Sequence, residues 1–469
     1  VSDDGSPKSK ALQTLLILGA SGDLTARLLL PGLGSLLEAG EASNLLLLGS
    51  GSDDMDRGDW RSRVSDSFGT VGATGDAARD VADSAVYMPA DVTIESDLRR
   101  LLEACEGQPI IYFALPPSVA VKACEALAGI DLPEGTRLVM EKPFGTDQVS
   151  AEALNLMLTR IVPEEQIHRV DHFLGVSTVL NIVGLRFANR ILEPVLNAQH
   201  VESVEIVWDE SLGLEDRAGY YDHAGAMVDM IQSHLLQVLS ILTMEAPASL
   251  EARNFRDETA QILRATRVWE DDANGSSRRA RYTAGEIEGR ALPDYADEPG
   301  VDPTNRTETL AEIVVGVNNW RWSGVPFTLR SGKALGNPRK EAVVTFRPTP
   351  HTPGGLTGTD RPDRLRIGLG FGADTLHLDL NINGPGDPKS IEPVTLEATF
   401  GAGDLPEYGE VLKGVLDNDP TFSVRGDAAE QCWRIIEPVR EAWKADRVPL
   451  QEYAAGNSGP ADWPDAKLP

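Results

Sequence analysis

The chain has 469 residues, with 43 Lys+Arg against 72 Asp+Glu, a formal charge of −29. Hydrophobic residues at 41% and charged residues at 25% are ordinary for a folded soluble protein, and the length predicts two or three domains at about 150 residues each. The acidic balance argues against non-specific binding of nucleic acid or anionic membranes, which takes clustered Lys/Arg, and leaves room for a small anion in a local basic pocket.

Residues 14–18 are a short buried-strand signal, followed by a glycine-rich turn and a helical pattern over 25–39 with leucines at helical spacing. Residues 45–48 then read as a second strand, with Gly49-Ser-Gly51 as a turn. Residues 86–88, 110–114, 138–140 and 166–170 are further strands, with helices between them at 95–104, 118–127 and 149–158. This alternation predicts a parallel sheet covered on both faces. After Gly175 strands cluster, at 204–208, 309–317, 327–329, 341–346, 364–369 and 375–382, with one long helix at 224–242. That half reads as α+β around a large, mostly antiparallel sheet. Residues 270–306 and 348–362 read as exposed loops, and helices return at 408–417 and 428–444. The domain expectation is 1–175 for the α/β half and 176–469 for the α+β half.

Cys105, Cys124 and Cys432 are scattered, matching neither a disulfide framework nor a zinc pattern, and predict a reducing, cytoplasmic setting. The histidines show no ligand spacing with Cys or carboxylates, so no metal is expected. Apolar runs such as residues 45–48 fall far short of the roughly 18–20 residues that span a bilayer, and residues 1–10 carry no apolar signal-peptide core.

A strand, then Gly-x-x-Gly, then a helix sets backbone N–H groups and a helix N-terminus against a pyrophosphate. Gly19, Ala20, Ser21, Gly22, Asp23 and Leu24 form that turn. The same pattern also serves as a plain connection. Choice of cofactor is read after the second strand, where an acidic residue suits a ribose 2′-OH and an Arg suits a 2′-phosphate. Here the run is Ser52-Asp53-Asp54, with Arg57 the nearest arginine, so the segment leans towards NAD and leaves NADP open.

Two segments carry candidate acid–base chemistry: His168-Arg-Val-Asp171-His172 and, on the long helix, Asp229 to His234. On an α-helix five residues turn through about 140°, so Asp229 and His234 would border one cleft without sharing a face. A neutral imidazole is suited to taking a hydroxyl proton near neutral pH.

From residue 16 to residue 460 the chain resembles the glucose-6-phosphate 1-dehydrogenase family. The resemblance rests on Gly19-Ala-Ser-Gly-Asp-Leu24, Glu141-Lys-Pro-Phe-Gly145, Arg169-Val-Asp-His-Phe-Leu-Gly175, Leu185-Arg-Phe-Ala-Asn189, Gly219-Tyr-Tyr-Asp222 and Asp229 to His234-Leu-Leu-Gln237. It continues through Thr307-Glu-Thr309, Arg321-Trp-Ser-Gly-Val-Pro326, Leu329-Arg-Ser-Gly-Lys-Ala-Leu335, Glu437-Pro-Val and Gly456-Asn-Ser-Gly-Pro460. It implies a Rossmann-type domain followed by an α+β domain, and a homodimer, or dimer of dimers, built through the second domain's sheet. The implied activity is oxidation of the C1 hemiacetal of glucose 6-phosphate to its lactone with NADP or NAD, the opening step of the pentose phosphate pathway. It makes His234 the general base and Asp171 its orienting carboxylate. Glu210 and Asp229 become sugar-hydroxyl ligands, His172 and Lys333 substrate contacts, and Lys142 a lysine between cofactor and substrate. Pro143 positions that segment, with a cis peptide open to it. Without the motifs, Lys142 and Lys333 would read as solvated lysines.

The phosphate side departs from the family pattern. The family's Tyr-Leu-Gly-Lys is here Phe173-Leu-Gly-Val176, and a lysine of the first helix is Leu28. The arginine after the second strand is replaced at about Ser52. Each charge-assisted contact to phosphate is worth about 1.5–3 kcal/mol. Arg27, His172, Lys333 or Arg339 would have to compensate. Three readings stay open: glucose-6-phosphate dehydrogenase with a remodelled anion site, an NAD-dependent dehydrogenase of another aldose, and a catalytically weak regulatory homologue. The retained Asp171, His234 and Lys142 argue against the last.

Overall fold

A computed structural model describes residues 11–463, apart from 216, 359, 360, 371–373, 385 and 402; residues 1–10, read above as lacking a signal-peptide core, lie outside the described residues. The chain divides into two units. The first comprises Val1–Gly175, Ser249–Arg256 and Asp404–Glu430; the second comprises Val176–Ala248, Asp257–Gly403 and Gln431–Pro469.

The first unit is built on six strands: β1 (Gln13–Leu18), β2 (Leu45–Gly51), β3 (Val86–Pro89), β4 (Gln108–Phe113), β5 (Arg137–Glu141) and β6 (Ile167–Val170). All pair in parallel in the order β3-β2-β1-β4-β5-β6. Every residue of β1 is buried, which is why its sequence shows no alternation. Leu16 of β1 pairs with Leu48 on one side and Ile111 on the other. Strand order therefore reverses at β1, the switch point where open parallel sheets bind ligands beyond their strand ends. Gly49-Ser-Gly51, expected as a turn, is the buried end of β2.

The connecting helices are α1 (Leu30–Glu38), α2 (Arg57–Gly69), α3 (Asp76–Ser84), α4 (Glu95–Glu103), α5 (Pro117–Leu127) and α6 (Gln148–Ile161). The single helix expected over 25–39 opens instead with a π-helical turn, Thr25–Leu29. Leu33, Leu36, Trp60, Val64 and Phe68 share one core with Tyr408, Leu412 and Val415 of a late helix, Glu407–Asp417. That helix is fixed by polar bonds of high sequence separation. Arg137 Nη1 donates to the Val415 carbonyl at 2.7 Å, and Gln13 Nε2 to the Leu416 carbonyl at 3.0 Å. It also meets α1 glycine to glycine, since a Cβ on Gly32 would lie 2.9 Å from the Gly409 nitrogen.

The second unit carries an 11-stranded sheet in the order β15-β18-β17-β16-β14-β7-β13-β12-β9-β19, with β8 on β12. Its strands are β7 (Val201–Asp209), β8 (Thr266–Val268), β9 (Ser277–Thr283), β12 (Leu310–Val317), β13 (Pro326–Gly332), β14 (Lys340–Phe346), β15 (Thr357–Gly358), β16 (Arg364–Gly368), β17 (Asp374–Asn383), β18 (Ser390–Phe400) and β19 (Leu450–Ala454). Most neighbours are antiparallel, while β7–β13, β9–β19 and β15–β18 are parallel.

Residues 270–306 are not an exposed loop. They contain β9, paired with β12 and β19, and a hairpin of β10 (Gly285–Ile287) and β11 (Arg290–Leu292). The alternation is masked because β9 is arginine-rich and its arginines are all satisfied. Arg278 pairs with Glu312, Arg279 donates to the Val448 and Trp443 carbonyls, and Arg281 lies 3.6 Å from Glu452. Ala280 and Tyr282 fill the core between them. The described residues of 348–362 are mainly irregular apart from β15.

After α7 (Ser177–Phe187), the expected long helix is three pieces: α8 (Ala218–Ala226), a π-helix Met227–Leu235, and α9 (Leu236–Thr243). Gly225, at φ +62°, breaks it from its first turn. Taken together, Ala218–Thr243 is the one described helical stretch long and apolar enough to cross a bilayer; 89% of its most apolar 18-residue window is buried inside the protein, as in a core helix.

Candidate active site

In the first unit, the glycine turn sits at the carboxyl end of β1. Gly19 has φ +88°, and a Cβ there would lie 2.1 Å from the Ala114 carbonyl oxygen, so only glycine fits. Gly22 N–H closes the turn on the Gly19 carbonyl at 3.1 Å, and Thr25 Oγ1 donates to the same oxygen at 3.2 Å. The helix opening at Thr25 leaves its first N–H groups without intrahelical acceptors, which suits a pyrophosphate. The backbone is bare where a dinucleotide must approach, so the residues present fit that group. Ser52, Asp53, Asp54 and Arg57 are all exposed at the end of β2.

Arg63 of α2 is a residue the sequence reading missed. Its guanidinium donates to the Ser21 carbonyl at 2.6 Å and the Gly22 carbonyl at 3.0 Å, bracing the turn from outside. The signal for α2 was present in Trp60, Val64 and Phe68, spaced four apart and buried.

At the end of β5 the peptide between Lys142 and Pro143 is cis. Beside it the Glu141 carboxyl accepts hydrogen bonds from Tyr112 and Tyr408, and burial pushes its pKa up to about 7. Tyr408 stacks on His172, with ring centroids 5.9 Å apart and 16° between planes. Asp171 is buried, and its Oδ1 accepts the Phe173 N–H at 3.0 Å. Glu141, Lys142, Asp171 and His172 are thus ordered by one polar and aromatic cluster, of which Tyr408 comes from more than two hundred residues away in sequence.

In the second unit Asp229 and His234 lie on the π-helix Met227–Leu235, both buried, at 4% and 1% exposure. The 140° expectation does not hold there. A π-helix bonds residue i to i+5, so residues five apart stand one turn above another, and the two side chains share a face. Arg217 approaches Asp229 at 4.0 Å. Nearby, the Lys333 ammonium and Glu210 carboxylate form an ion pair, with the ammonium 5.3 Å from the Tyr221 ring centroid. Two expected substrate contacts therefore neutralise one another. Tyr221 has a buried hydroxyl with no hydrogen-bond partner among the described residues.

Arg339 is placed elsewhere. It lies 3.5 Å from Glu205 and 3.7 Å from Glu341, and lines a cavity of about 1090 Å³ with Asp209, Arg330 and Arg366. Glu210, Asp229, His234 and Lys333 are not among that cavity's lining residues. Of the departures on the phosphate side, Phe173 and Val176 are both buried at 2% exposure, whereas Leu28 is 44% exposed.

A parallel sheet with a bare glycine turn at its switch point, in a chain whose mixed-sheet unit carries a buried imidazole and a buried carboxylate on one π-helix, defines a dinucleotide-dependent oxidoreductase. Two family models match in succession: glucose-6-phosphate dehydrogenase, NAD binding domain, over residues 16–181, and glucose-6-phosphate dehydrogenase, C-terminal domain, over residues 183–466. The chain is 37% identical over 465 residues to glucose-6-phosphate 1-dehydrogenase of Gluconobacter oxydans, covering 95% of this chain and 94% of that protein. It is also 37% identical to the Treponema pallidum enzyme of that name, covering 95% and 92%. The structure of glucose-6-phosphate 1-dehydrogenase from Mycobacterium avium superposes with a TM-score of 0.84 at 30% identity, covering 98% of this chain and all of that one. A glucose-6-phosphate dehydrogenase solved in complex with glucose 6-phosphate gives 0.85 at 27%, covering 97% of each. The chain belongs to the glucose-6-phosphate dehydrogenase family, NAD(P)-dependent oxidoreductases acting on a CH–OH group.

Proposed function

We propose that this chain oxidises the C1 hemiacetal of glucose 6-phosphate to the 6-phosphogluconolactone, passing hydride to NADP or NAD. The observation that carries it is a buried His234 one π-turn from Asp229, within a chain that matches the family from end to end. The nicotinamide, when bound, accepts the hydride. His234 takes the C1 hydroxyl proton, and Asp171 fixes its tautomer and stabilises the imidazolium that results. Glu210 and Asp229 bind sugar hydroxyls, while Lys142, His172 and Lys333 contact the substrate. Arg339, turned to Glu205 and Glu341, would have to leave those partners to join them. The glycine turn from Gly19 to Leu24, with Ser52 and Lys142, holds the dinucleotide.

We further assign residues 1–175 to dinucleotide binding and 176–469 to substrate binding and dimerisation. A homodimer through the large sheet is supported by β17 and β18, where Ile382 and Leu396 are 49% and 55% exposed. Cytoplasmic residence is supported by three free cysteines.

The test is a matrix of glucose 6-phosphate and free glucose, each with NADP and NAD. Turnover with glucose 6-phosphate should exceed that with glucose by at least about 100-fold in kcat/KM, the worth of two charge-assisted contacts. Equal use of both sugars would favour the other-aldose reading. Dinucleotide binding without turnover on either sugar would favour the regulatory one.

A further inference from the structure

The π-helix that carries Asp229 and His234 has no cap of its own. Ala226 at its N-cap and Met227 at its first position offer no side-chain acceptor, and the chain before them breaks at Gly225. The acceptors come from Glu308, two residues before β12. Its backbone carbonyl takes the Ala226 N–H at 3.2 Å, and its carboxylate Oε1 takes the Met227 N–H at 3.0 Å. A Cβ on Gly225 would lie 2.3 Å from that oxygen, so the glycine is what lets the carboxylate close on the helix end.

The neighbouring residues extend the same strap. Thr307 Oγ1 donates to the Asp222 carbonyl of α8. The Thr309 carbonyl accepts the Lys333 N–H at 2.8 Å, and its hydroxyl lies 3.0 Å from the Tyr453 hydroxyl, which donates to the Lys333 carbonyl at 2.6 Å. Three consecutive residues thus hold α8, the π-helix and the Lys333 turn. Glu308 itself is 8% exposed. Burial raises its carboxyl to about 7, with the backbone N–H bonds and the fields of Arg279 and Arg440 acting in the opposite direction.

We propose that Glu308 is a positioning residue: by capping the π-helix through Gly225 it sets the register in which Asp229 and His234 face the sugar. The inference rests on His234 being the base, and the experiment separates the two. Glu308→Ala and Glu308→Gln are compared for kcat, for the sugar KM, for dinucleotide Kd by fluorescence titration, and for the His234 imidazole resonance, assigned with His234→Asn. Glu308→Ala should lower kcat about 10- to 100-fold, raise the sugar KM, shift the His234 resonance and leave dinucleotide Kd unchanged, as expected for a displaced base. Glu308→Gln keeps an acceptor oxygen and should stay within about threefold of wild type. Wild-type kcat and resonance in Glu308→Ala would overturn the proposal, as would a Gln variant as impaired as the Ala one. Should Glu308→Ala not fold, Glu308→Asp, with its carboxylate withdrawn by one methylene, is read by the same criteria. Retained turnover in His234→Asn would remove the base assignment, while the resonance in Glu308→Ala still decides the positioning.

Discussion

Glu141 in the first unit and Glu308 in the second are both enclosed carboxyls pushed up to about 7, and each stands next to residues assigned to the chemistry. They differ in what holds them. Glu141 accepts from two tyrosine side chains, one of them stacked on His172. Glu308 accepts from the backbone at the start of a helix. A carboxyl bound to side chains can be loosened one hydroxyl at a time. A carboxyl bound to backbone is built into the course of the chain, and disturbing it moves the helix. The first arrangement orders individual rings and head groups; the second orders a whole turn with everything on it.

The sharpest way to break the second arrangement is Gly225→Ala. The new Cβ meets the Glu308 carboxylate and the residue must hold a positive φ, so a loss of more than about 2 kcal/mol is expected, read by chemical denaturation. A loss under about 0.5 kcal/mol would mean the carboxylate is free to move aside. In the first arrangement Tyr408→Phe leaves Glu141 with one hydroxyl, and should cost about 1–3 kcal/mol. Because phenylalanine keeps the ring that stacks on His172, the sugar KM should stay within about twofold of wild type. A larger rise in KM would show that the hydroxyl bond to Glu141, and not the stacking, orders the substrate contacts.

The pH dependence sharpens the comparison further. A carboxyl whose folded pKa is about 7, above its ordinary 4.5, keeps a proton in the fold that the unfolded chain gives up. Its contribution to stability is full below pH 4.5 and is lost as pH rises to about 7. Glu141→Gln should therefore give a melting temperature that falls less than wild type's between those limits, and Glu308→Gln should do the same. His168, pushed down to about 3 by burial, acts with the opposite sign, its contribution being lost as pH falls below 6.5. The difference between variant and wild-type curves isolates the carboxyl, and parallel curves would contradict the assignment. The smallest effect is expected of Arg63→Met. It removes two bonds to the glycine turn and should weaken dinucleotide binding by about three- to tenfold while leaving the sugar KM alone.

The parallel sheet was legible because its strands are buried on both faces and so read as continuous apolar runs between helices. The motifs located the glycine turn, the Lys142 segment and the long helix. Other features follow from tertiary structure. The arginines of β9 disguise a core strand, since their partners Glu312, Trp443 and Val448 lie far away in sequence. The π-turns at Thr25 and Met227 change the period by which faces are counted, and an α-helical reading therefore separates Asp229 from His234. Glu308 stood inside a recognised motif without a role. The available signal was Gly225, a glycine beside an apolar helical run, which marks a break or a close approach. On the phosphate side, Phe173 and Val176 are buried while Leu28 is exposed, a difference in environment that residue identity alone does not carry.

Steady-state kcat of folded His234→Asn on glucose 6-phosphate, with dinucleotide affinity checked in parallel, decides whether this imidazole removes the C1 proton. A fall of about 100- to 10,000-fold with dinucleotide binding intact is the expected result. Turnover within about tenfold of wild type would mean that the proton leaves by another group.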